Sequence, residues 1–562
     1  MPAPQSFTRG DADATAPTGG SVTEETHAHL LRIHREILER ADIALDDNFF
    51  DLGGNSLLAF RVIKRVAELL GARVSAQAVF TAGSIRELAA RVDEARTAQA
   101  ATGTDDSASR SSDHLGRASM AQEWAVLSGV SDPDAPALQF HVVYRVRGPL
   151  DRAALHAASQ DVVDQHPALR TVLRVDGPTV RQHVADPAAL LLVDDVSWLP
   201  EQDRPREALR ILDQEVRRTF DRTRAPLTRT HLVRCAPDDH FLALVFDHVA
   251  ADGWSLDVIV KDLGAAYRSR LAGEEPGLTD SGAYQDWSAR QWDGFQNGRA
   301  DEVAGYWKEQ LGPDPAAFAV RLPGYRPDRG LADPASLHLD VPSETVAALD
   351  DICRQLRTTP YCVSLAVLKA LIARQTGRSR VTVLTTAANR LEPEYQDTVG
   401  WFANGVFPTS DLDLSQTFRQ LVVAVRETAL AATAHGDLPA WYVRRRMWPT
   451  VPAGFRKDPG VYFMFNELWG RSLRLAGTEV EPVFLAETAD SPGLHMWLLR
   501  DGPVVGLTVL HHRSEYTAEY VREFAGDFLG AVAALARRPD LPVREVLDAG
   551  RHQSFPTIQT GS

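Results

Sequence analysis

The sequence predicts two domains of different class: a small α-helical bundle at residues 21–96 and, beyond a tether at 97–114, an α/β domain over 115–550 with room for two lobes. Three observations carry this expectation. Apolar residues recur at helical spacing three times between Leu30 and Val92. Thr97 to Asp113 contains almost no large apolar residue and cannot bury enough surface to order itself. From Leu115 onward, strand-like and helix-like runs alternate. At 562 residues, 44% hydrophobic and 24% charged, the chain exceeds one ordinary domain and can bury several cores.

Residues 1–20 are rich in Ala, Pro, Thr, Ser and Gly and are expected to be disordered. They hold no apolar stretch of signal-peptide type. Ser21-Val22-Thr23-Glu24 has capping-box form and leads into Leu30, Leu31, Ile33, Ile37 and Leu38, a helix ending near Arg40. A loop through Asp51 precedes a second helix from Ser56, with Leu57, Phe60, Ile63, Val66, Leu69 and Leu70 on its apolar face. Gly71-Ala72 ends it, Phe80 begins a short apolar turn, and Ser84 caps a third helix through Val92. Three helices in so short a stretch make a small bundle.

Past the tether, Phe140–Val146 reads as a strand, Arg152–Gln165 as a helix and Leu169–Val175 as a strand. A helix from Pro205 to Thr219 follows, its proline suited to a first turn, and then the strand Phe241–Phe246. The theme repeats with helices Ser343–Leu356 and Val363–Thr376, a strand Val381–Thr386 and a terminal helix Thr517–Ala536. The expected lobes are 115–295 and 296–550, with a tail at 551–562.

The formal charge of −15 disfavours nucleic-acid and anionic-membrane partners. Cys235, Cys353 and Cys362 show no Cys-x-x-Cys spacing and read as reduced core residues, which with the absence of a leader or a spanning segment gives the expectation of a cytoplasmic protein.

Two segments carry chemistry. In Asp46-Asp47-Asn48-Phe49-Phe50-Asp51-Leu52-Gly53-Gly54-Asn55-Ser56, two glycines free the backbone for a close approach and Ser56 opens an amphipathic helix. A phosphodiester there sits at the positive end of that helix. A serine that is only an N-cap would not call for the preceding Phe-Phe-Asp-x-Gly-Gly. The segment resembles the attachment site of a peptidyl or aryl carrier (thiolation) domain, which implies a covalent 4′-phosphopantetheine arm on Ser56, installed by a phosphopantetheinyl transferase.

The second is Asp247-His248-Val249-Ala250-Ala251-Asp252-Gly253-Trp254-Ser255, which sets one titratable histidine at a strand-to-helix turn. An imidazole there can exchange a proton during acyl transfer, and an aspartate four residues on can lock the loop through an ion pair. The stretch resembles the His-His-x-x-x-Asp-Gly motif of peptide-synthetase condensation domains, with Asp247 in the place of the first histidine. Four further segments resemble that family in order: Ala118–Trp124, Gln165–Leu173, Tyr284-Gln285-Asp286-Trp287 and Val399-Gly400-Trp401-Phe402-Ala403-Asn404. The resemblance implies a chloramphenicol-acetyltransferase-like fold, two similar lobes in a V with the histidine loop on the floor of a channel.

It further implies that His248 is the catalytic residue and that Asp252 is structural, paired with Arg390 of Ala388-Asn389-Arg390. Gly253 reads as permitting a turn that a Cβ would block. Trp254 reads as core or site, and His166, His511 and His512 as structural or exposed, with no metal expected. Asp247 is free, in this reading, to accept a hydrogen bond from the imidazole or to pair with a nearby arginine. Asp247, Asp252 and Ser255 also fit the Asp-x-x-x-x-Asp-x-x-Ser signature of heterocyclisation domains. Retention of His248 and Gly253, and the segments Met120–Trp124 and Leu384–Arg390, favour condensation.

The expected function is that of a non-ribosomal peptide synthetase pair of antibiotic-type biosynthesis, passing an acyl, aminoacyl or peptidyl group from the arm on Ser56 to an amine. No adenylate-forming loop or Gly-x-Ser-x-Gly elbow occurs in the sequence, so loading is expected in trans, from an adenylation domain or an upstream synthetase module. Val543–Ser562 shows no following domain and no amphipathic repeat, which favours a free small-molecule amine as acceptor over a downstream carrier protein. Epimerisation and a catalytically silent platform that recruits tailoring enzymes are the other readings. Gly253-Trp254-Ser255-Leu256 resembles condensation domains more than epimerases.

Overall fold

The structure, a computed structural model, describes residues 22–102, 116–551 and 555, apart from 39, 50–51, 53–55, 73, 75–77, 80–81, 132–137, 279–282, 314–318, 327–332, 391, 449–459, 468–469 and 486–491. It divides into two units, Met1–Thr104 and Asp105–Ser562.

The first unit holds α1 (Val22–Ile37), α2 (Ser56–Leu70) and α3 (Ile85–Thr102). Leu30, Ile33, Val62, Ile63, Val66, Leu88 and Val92, three or four apart on their helices, bury one common core with Phe49. The long α1–α2 loop is tied to the start of α3 by Ile85 N–H donating to the Asp47 carbonyl at 2.9 Å and Arg86 N–H to that of Leu45 at 2.8 Å. α3 runs through Thr102 and corrects the expected tether, because Thr97-Ala98-Gln99-Ala100-Ala101 is good helix-forming sequence that continues an existing helix. Residues 103–114, and Gly53-Gly54-Asn55 and Phe80, lie outside the described residues.

The second unit begins with α4 (Met120–Ser131), β1 (Gln139–Arg147), α5 (Arg152–Gln165), β2 (Thr171–Asp176), β3 (Thr179–Val184), β4 (Leu191–Asp195), α6 (Arg204–Arg217), β5 (Thr228–Ala236) and β6 (Asp239–Asp247). It continues with α7 (Gly253–Ala272), α8 (Tyr284–Gly294), α9 (Ala300–Leu311), β7 (Pro334–Val341), α10 (Ser343–Leu356), α11 (Pro360–Thr376), β8 (Arg380–Thr382), β9 (Thr385–Ala387), β10 (Asn404–Val406) and β11 (Thr409–Asp411). α12 (Phe418–Ala434), α13 (Ala440–Met447), β12 (Gly460–Glu467), β13 (Glu479–Val483), β14 (Gly493–Asp501), β15 (Val504–His512), α14 (Ala518–Arg537) and α15 (Val543–Ala549) complete it.

Two principal sheets organise these elements. The first has the order β13-β1-β6-β5-β4. Phe241, Ala243 and Val245 of β6 bury against α6, while Leu242, Leu244 and Phe246 bury against α5 and α7. Helices on both faces explain why Phe241–Phe246 is continuously apolar rather than alternating. The second sheet, β12-β14-β15-β7, packs one face on α10, α11, α12, α14 and α15 through residues such as Phe463, Met496, Leu507 and Leu339.

The expected division at 295/296 needs correction. β13 comes from the second half of the chain yet closes the edge of β1 in the first sheet, Val143 opposite Val483, which hides backbone groups an edge would expose. Leu169 lies in a single 3-10 turn, Pro167–Arg170, so β2 starts only at Thr171. The strand expected at Val381–Thr386 is split, because β8 pairs with β11 and β9 with β10. No single described helix is long and apolar enough to cross a membrane.

Lys369 of α11 is fully buried, its Nζ 2.7 Å from Ser410 Oγ, and burial drives its pKa down to about 7. The unfolded chain therefore binds a proton that the folded one lacks between pH 7 and the ordinary lysine range. Stability contributed at this site falls as pH drops through that window, by up to about 1.4 kcal/mol per pH unit. Lys369→Met should raise the melting temperature at pH 7 and flatten the pH dependence of melting between about pH 7 and 10, as followed by circular dichroism; an unchanged profile would contradict the assignment.

Candidate active site

β6 leaves the apolar core at Asp247, and the chain is turned at once. His248 N–H donates to the Leu138 carbonyl at 2.8 Å, Ala250 N–H to that of Asp247 at 3.0 Å, and Gln122 Nε2 to that of Val249 at 2.8 Å. Val249, Ala250 and Ala251 are wholly buried, whereas His248 is half-buried, so the turn offers one ring to accessible space. That ring lies between Phe140, edge-on with centroids 5.3 Å apart, and Trp401 at 4.8 Å. Nδ1 is buried with no hydrogen-bond partner among the described residues. Burial lowers the imidazole pKa from its ordinary value, with the Asp252 carboxylate the largest opposing influence. The net result is a neutral ring at neutral pH, the form that accepts a proton.

Asp252 caps α7, its Oδ1 accepting from Ser255 N–H at 2.8 Å. Arg390 Nη2 donates to the same Oδ1 at 3.1 Å and to Ser255 Oγ at 2.8 Å, while Oδ2 accepts from the amides of Phe402 at 3.0 Å and Ala403 at 3.2 Å. Arg390 Nη1 donates to the carbonyls of Tyr395 at 2.7 Å and Thr398 at 2.5 Å, and the guanidinium carbon lies 4.0 Å from the Phe402 ring centroid. Both charged side chains are about 1% exposed. Burial would raise the carboxyl pKa, but Arg390 and Ser255 outweigh it and hold the group below its usual value.

The network draws distant segments together. Ser255 Oγ accepts from Gly400 N–H at 3.1 Å, and Tyr284 Oη reaches Ser119 Oγ at 2.9 Å and the Trp401 carbonyl at 2.6 Å. Gly400 is a close-approach glycine, since a Cβ there would stand 2.1 Å from Cδ2 of Tyr284. Four of the five segments that carry the family resemblance thus meet at the histidine turn: Ala118–Trp124, the turn itself, Tyr284–Trp287 and Val399–Asn404. The fifth holds the back of α7, where His166 Nε2 lies 2.9 Å from Asp262.

Asp247 does not serve the imidazole. Its Oδ2 accepts from Arg222 Nε at 2.9 Å and its Oδ1 from Val249 N–H at 3.0 Å, and Arg222 Nη1 also donates to the Ala125 carbonyl at 3.1 Å. The acid therefore anchors the base of the turn to α4. Gly253 is the first residue of α7 and has no positive φ, so the turn does not draw on the left-handed conformation open to glycine. Trp254 Nε1 donates to the Gln396 carbonyl at 2.8 Å. His166, His511 and His512 are buried rather than exposed. Among the described residues no group of three His, Cys, Asp or Glu is placed to hold a metal.

Sequence reasoning missed Arg222, Phe140 and Trp401 as neighbours of the turn. Trp401 stood inside a quoted motif, but at a position the motif leaves open. Arg222 carried no local signal, because only the fold brings it to Asp247.

Ser56 is the first residue of α2, whose first-turn amides have no intrahelical acceptor and whose first turn contains no acidic residue. That environment fits a phosphodiester of phosphopantetheine on Ser56.

Comparison with known proteins agrees with this geometry. Residues 118–552 match the condensation-domain model and residues 28–92 the phosphopantetheine attachment site model. Phosphinothricin tripeptide synthetase PhsB of Streptomyces viridochromogenes is 31% identical over 430 residues, covering 76% of this chain and 36% of that protein, so the chain spans about a third of that relative's length. Among solved structures, the X-domain from teicoplanin biosynthesis superposes with a TM-score of 0.65 at 21% identity, covering 76% of this chain and 97% of that one. SgcC5 of Streptomyces globisporus, crystallised with (R)-(-)-1-(2-naphthyl)-1,2-ethanediol and sucrose, gives 0.60 at 25% identity, covering 72% and 94%.

Removing one member of the buried ion pair leaves the other unpaired. Asp252→Ala or Arg390→Ala should lower unfolding free energy by about 3–5 kcal/mol in denaturant titration; a well-folded variant of near-native stability would show that the pair is dispensable. Gly400→Ala should likewise destabilise, by about 1–3 kcal/mol of overpacking, and Tyr284→Phe should not rescue it, because the clash is with the ring and not with the hydroxyl.

Proposed function

The chain belongs to the condensation-domain family, with a phosphopantetheine carrier domain ahead of it, and from that premise we propose that it transfers an acyl group from its own carrier to a free small-molecule amine, forming an amide. The observation that carries the reading is the half-buried, neutral His248 presented by an otherwise buried turn. Phosphopantetheine on Ser56 supplies the arm and thiol on which an acyl group is carried as a thioester.

The chain's own residues then handle the proton. The His248 imidazole would accept the proton that the amine sheds as its nitrogen bonds to the acyl carbon, and would hold that proton for the thiol that the phosphopantetheine arm supplies as leaving group. Asp252 and Arg390 keep the turn in place, and Phe140 and Trp401 pack against the ring. SgcC5, solved with a small aryl diol, supports a diffusible acceptor by likeness. A phosphopantetheinyl transferase and an adenylation domain or synthetase module acting in trans are the partners this scheme requires.

A silent platform for tailoring enzymes is the second reading, favoured by the fold likeness to the teicoplanin X-domain, which has been solved in complex with OxyB. The hydrogen-bond network of Asp252 and Arg390, which holds the turn that presents His248, weighs against it. Heterocyclisation draws support from Asp247, Asp252 and Ser255, but the Asp247 carboxylate is engaged by Arg222 and the Val249 amide.

Ser56→Ala should gain no arm mass with a phosphopantetheinyl transferase in intact-protein mass spectrometry. The holo protein, loaded with its acyl group, should release an amide with an amine alone in solution, and His248→Ala should slow that release by about 10²–10⁴ while leaving loading intact. Release that needs a second holo carrier protein would overturn the diffusible acceptor. Transfer at a near-normal rate by His248→Ala would overturn the role of the imidazole.

A further inference from the structure

The segment Gly400–Ala403 is held with unusual care for a loop between two short strands. Gly400 N–H is bound by Ser255, the Trp401 carbonyl by Tyr284, and the amides of Phe402 and Ala403 by Asp252. Val399 and Phe402 bury their side chains in the core beneath. Trp401 packs on the margin of the same core, half-buried, with its ring 4.8 Å from the imidazole of His248. Its Nε1–H makes no hydrogen bond among the described residues and is not sealed from solvent.

A large aromatic ring that a rigid backbone holds at the edge of the core, beside a proton-accepting group and still partly exposed, is placed to touch what that group acts on. The atom that gives its proton to His248 is the attacking nitrogen, so the body that carries this nitrogen lies against whatever flanks the ring. The two flanking groups are the uncharged rings of Trp401 and Phe140. The nearby carboxylates of Asp247 and Asp252 are both taken up by arginines and backbone amides, which leaves neither to hold an ammonium.

We infer that Trp401 is a specificity-determining residue that contacts the acceptor and selects a neutral amine borne on a flat aromatic body. This rests on the acyl-transfer reading above and deepens it by naming the acceptor's class. The indole face packs on the aromatic body, and Nε1–H is available to an acceptor atom on it.

The test uses the full-length protein and two probes, 2-naphthylmethylamine and n-butylamine, with dissociation constants measured by ligand-observed NMR titration. The native chain should bind the aryl amine more tightly. Trp401→Ala should weaken the aryl amine by about 2- to 10-fold and leave n-butylamine within about 2-fold. Trp401→Phe, which keeps a ring and removes Nε1–H, should fall between. No aryl preference in the native chain, or an aryl-to-alkyl ratio unchanged in Trp401→Ala of native secondary structure, overturns the inference. The two readings fail separately. Release that requires a second carrier, with the ratio still shifted by Trp401→Ala, removes the diffusible acceptor and keeps the contact; release with a free amine and an unshifted ratio does the reverse.

Discussion

The buried pair Asp252–Arg390 is the constraint on which the site depends. A charge taken so far from water needs compensating partners, and here one carboxylate meets a guanidinium, a hydroxyl and three backbone amides. Those partners belong to the turn after β6, the loop after β9 and the segment before β10. Satisfying one acid therefore fixes, in a single step, the start of α7, the Gly400–Ala403 segment and the path of the chain at Tyr395–Thr398. His248 and Trp401 are held relative to one another because both hang from this network.

The same economy explains the state of the histidine. Desolvation pulls its pKa down while Asp252 pulls it up, and the carboxylate is itself largely neutralised by Arg390. Asp247, immediately before it, is drawn off to Arg222. A carboxylate bonded directly to the ring would raise the imidazole pKa, and the pairing of Asp247 with Arg222 draws that hydrogen bond elsewhere. The chain thus accommodates an acid beside its base by giving that acid a different partner.

What could be read in the sequence was local in origin. The apolar run Phe241–Phe246 marked a strand, the helical spacing of Leu30–Leu38 marked α1, and the pairing of Asp252 with Arg390 was implied by the resemblance to condensation domains. What escaped was set by long-range packing. Nothing near Glu479–Val483 says that it pairs with β1 rather than with the sheet of its own half. Nothing near Arg222 or Phe140 points to a turn that only the folded sheet brings close. The extent of α3 was misjudged because a stretch poor in large apolar residues was read as unable to order, although its alanines only have to extend a helix already begun.

The central claim is that His248 is held neutral by burial, with Asp252 the main influence in the other direction. Its most direct test is the NMR titration of the His248 ring in the apo protein, identified by its loss in His248→Ala. The account predicts a midpoint below the ordinary histidine value of about 6.5. In Asp252→Glu, where the charge is retained but displaced from its partners, the midpoint should change if the protein remains folded. A midpoint at or above the ordinary value in the native protein would mean that the ring is protonated at neutral pH, and the proton-accepting role given to it here would be wrong.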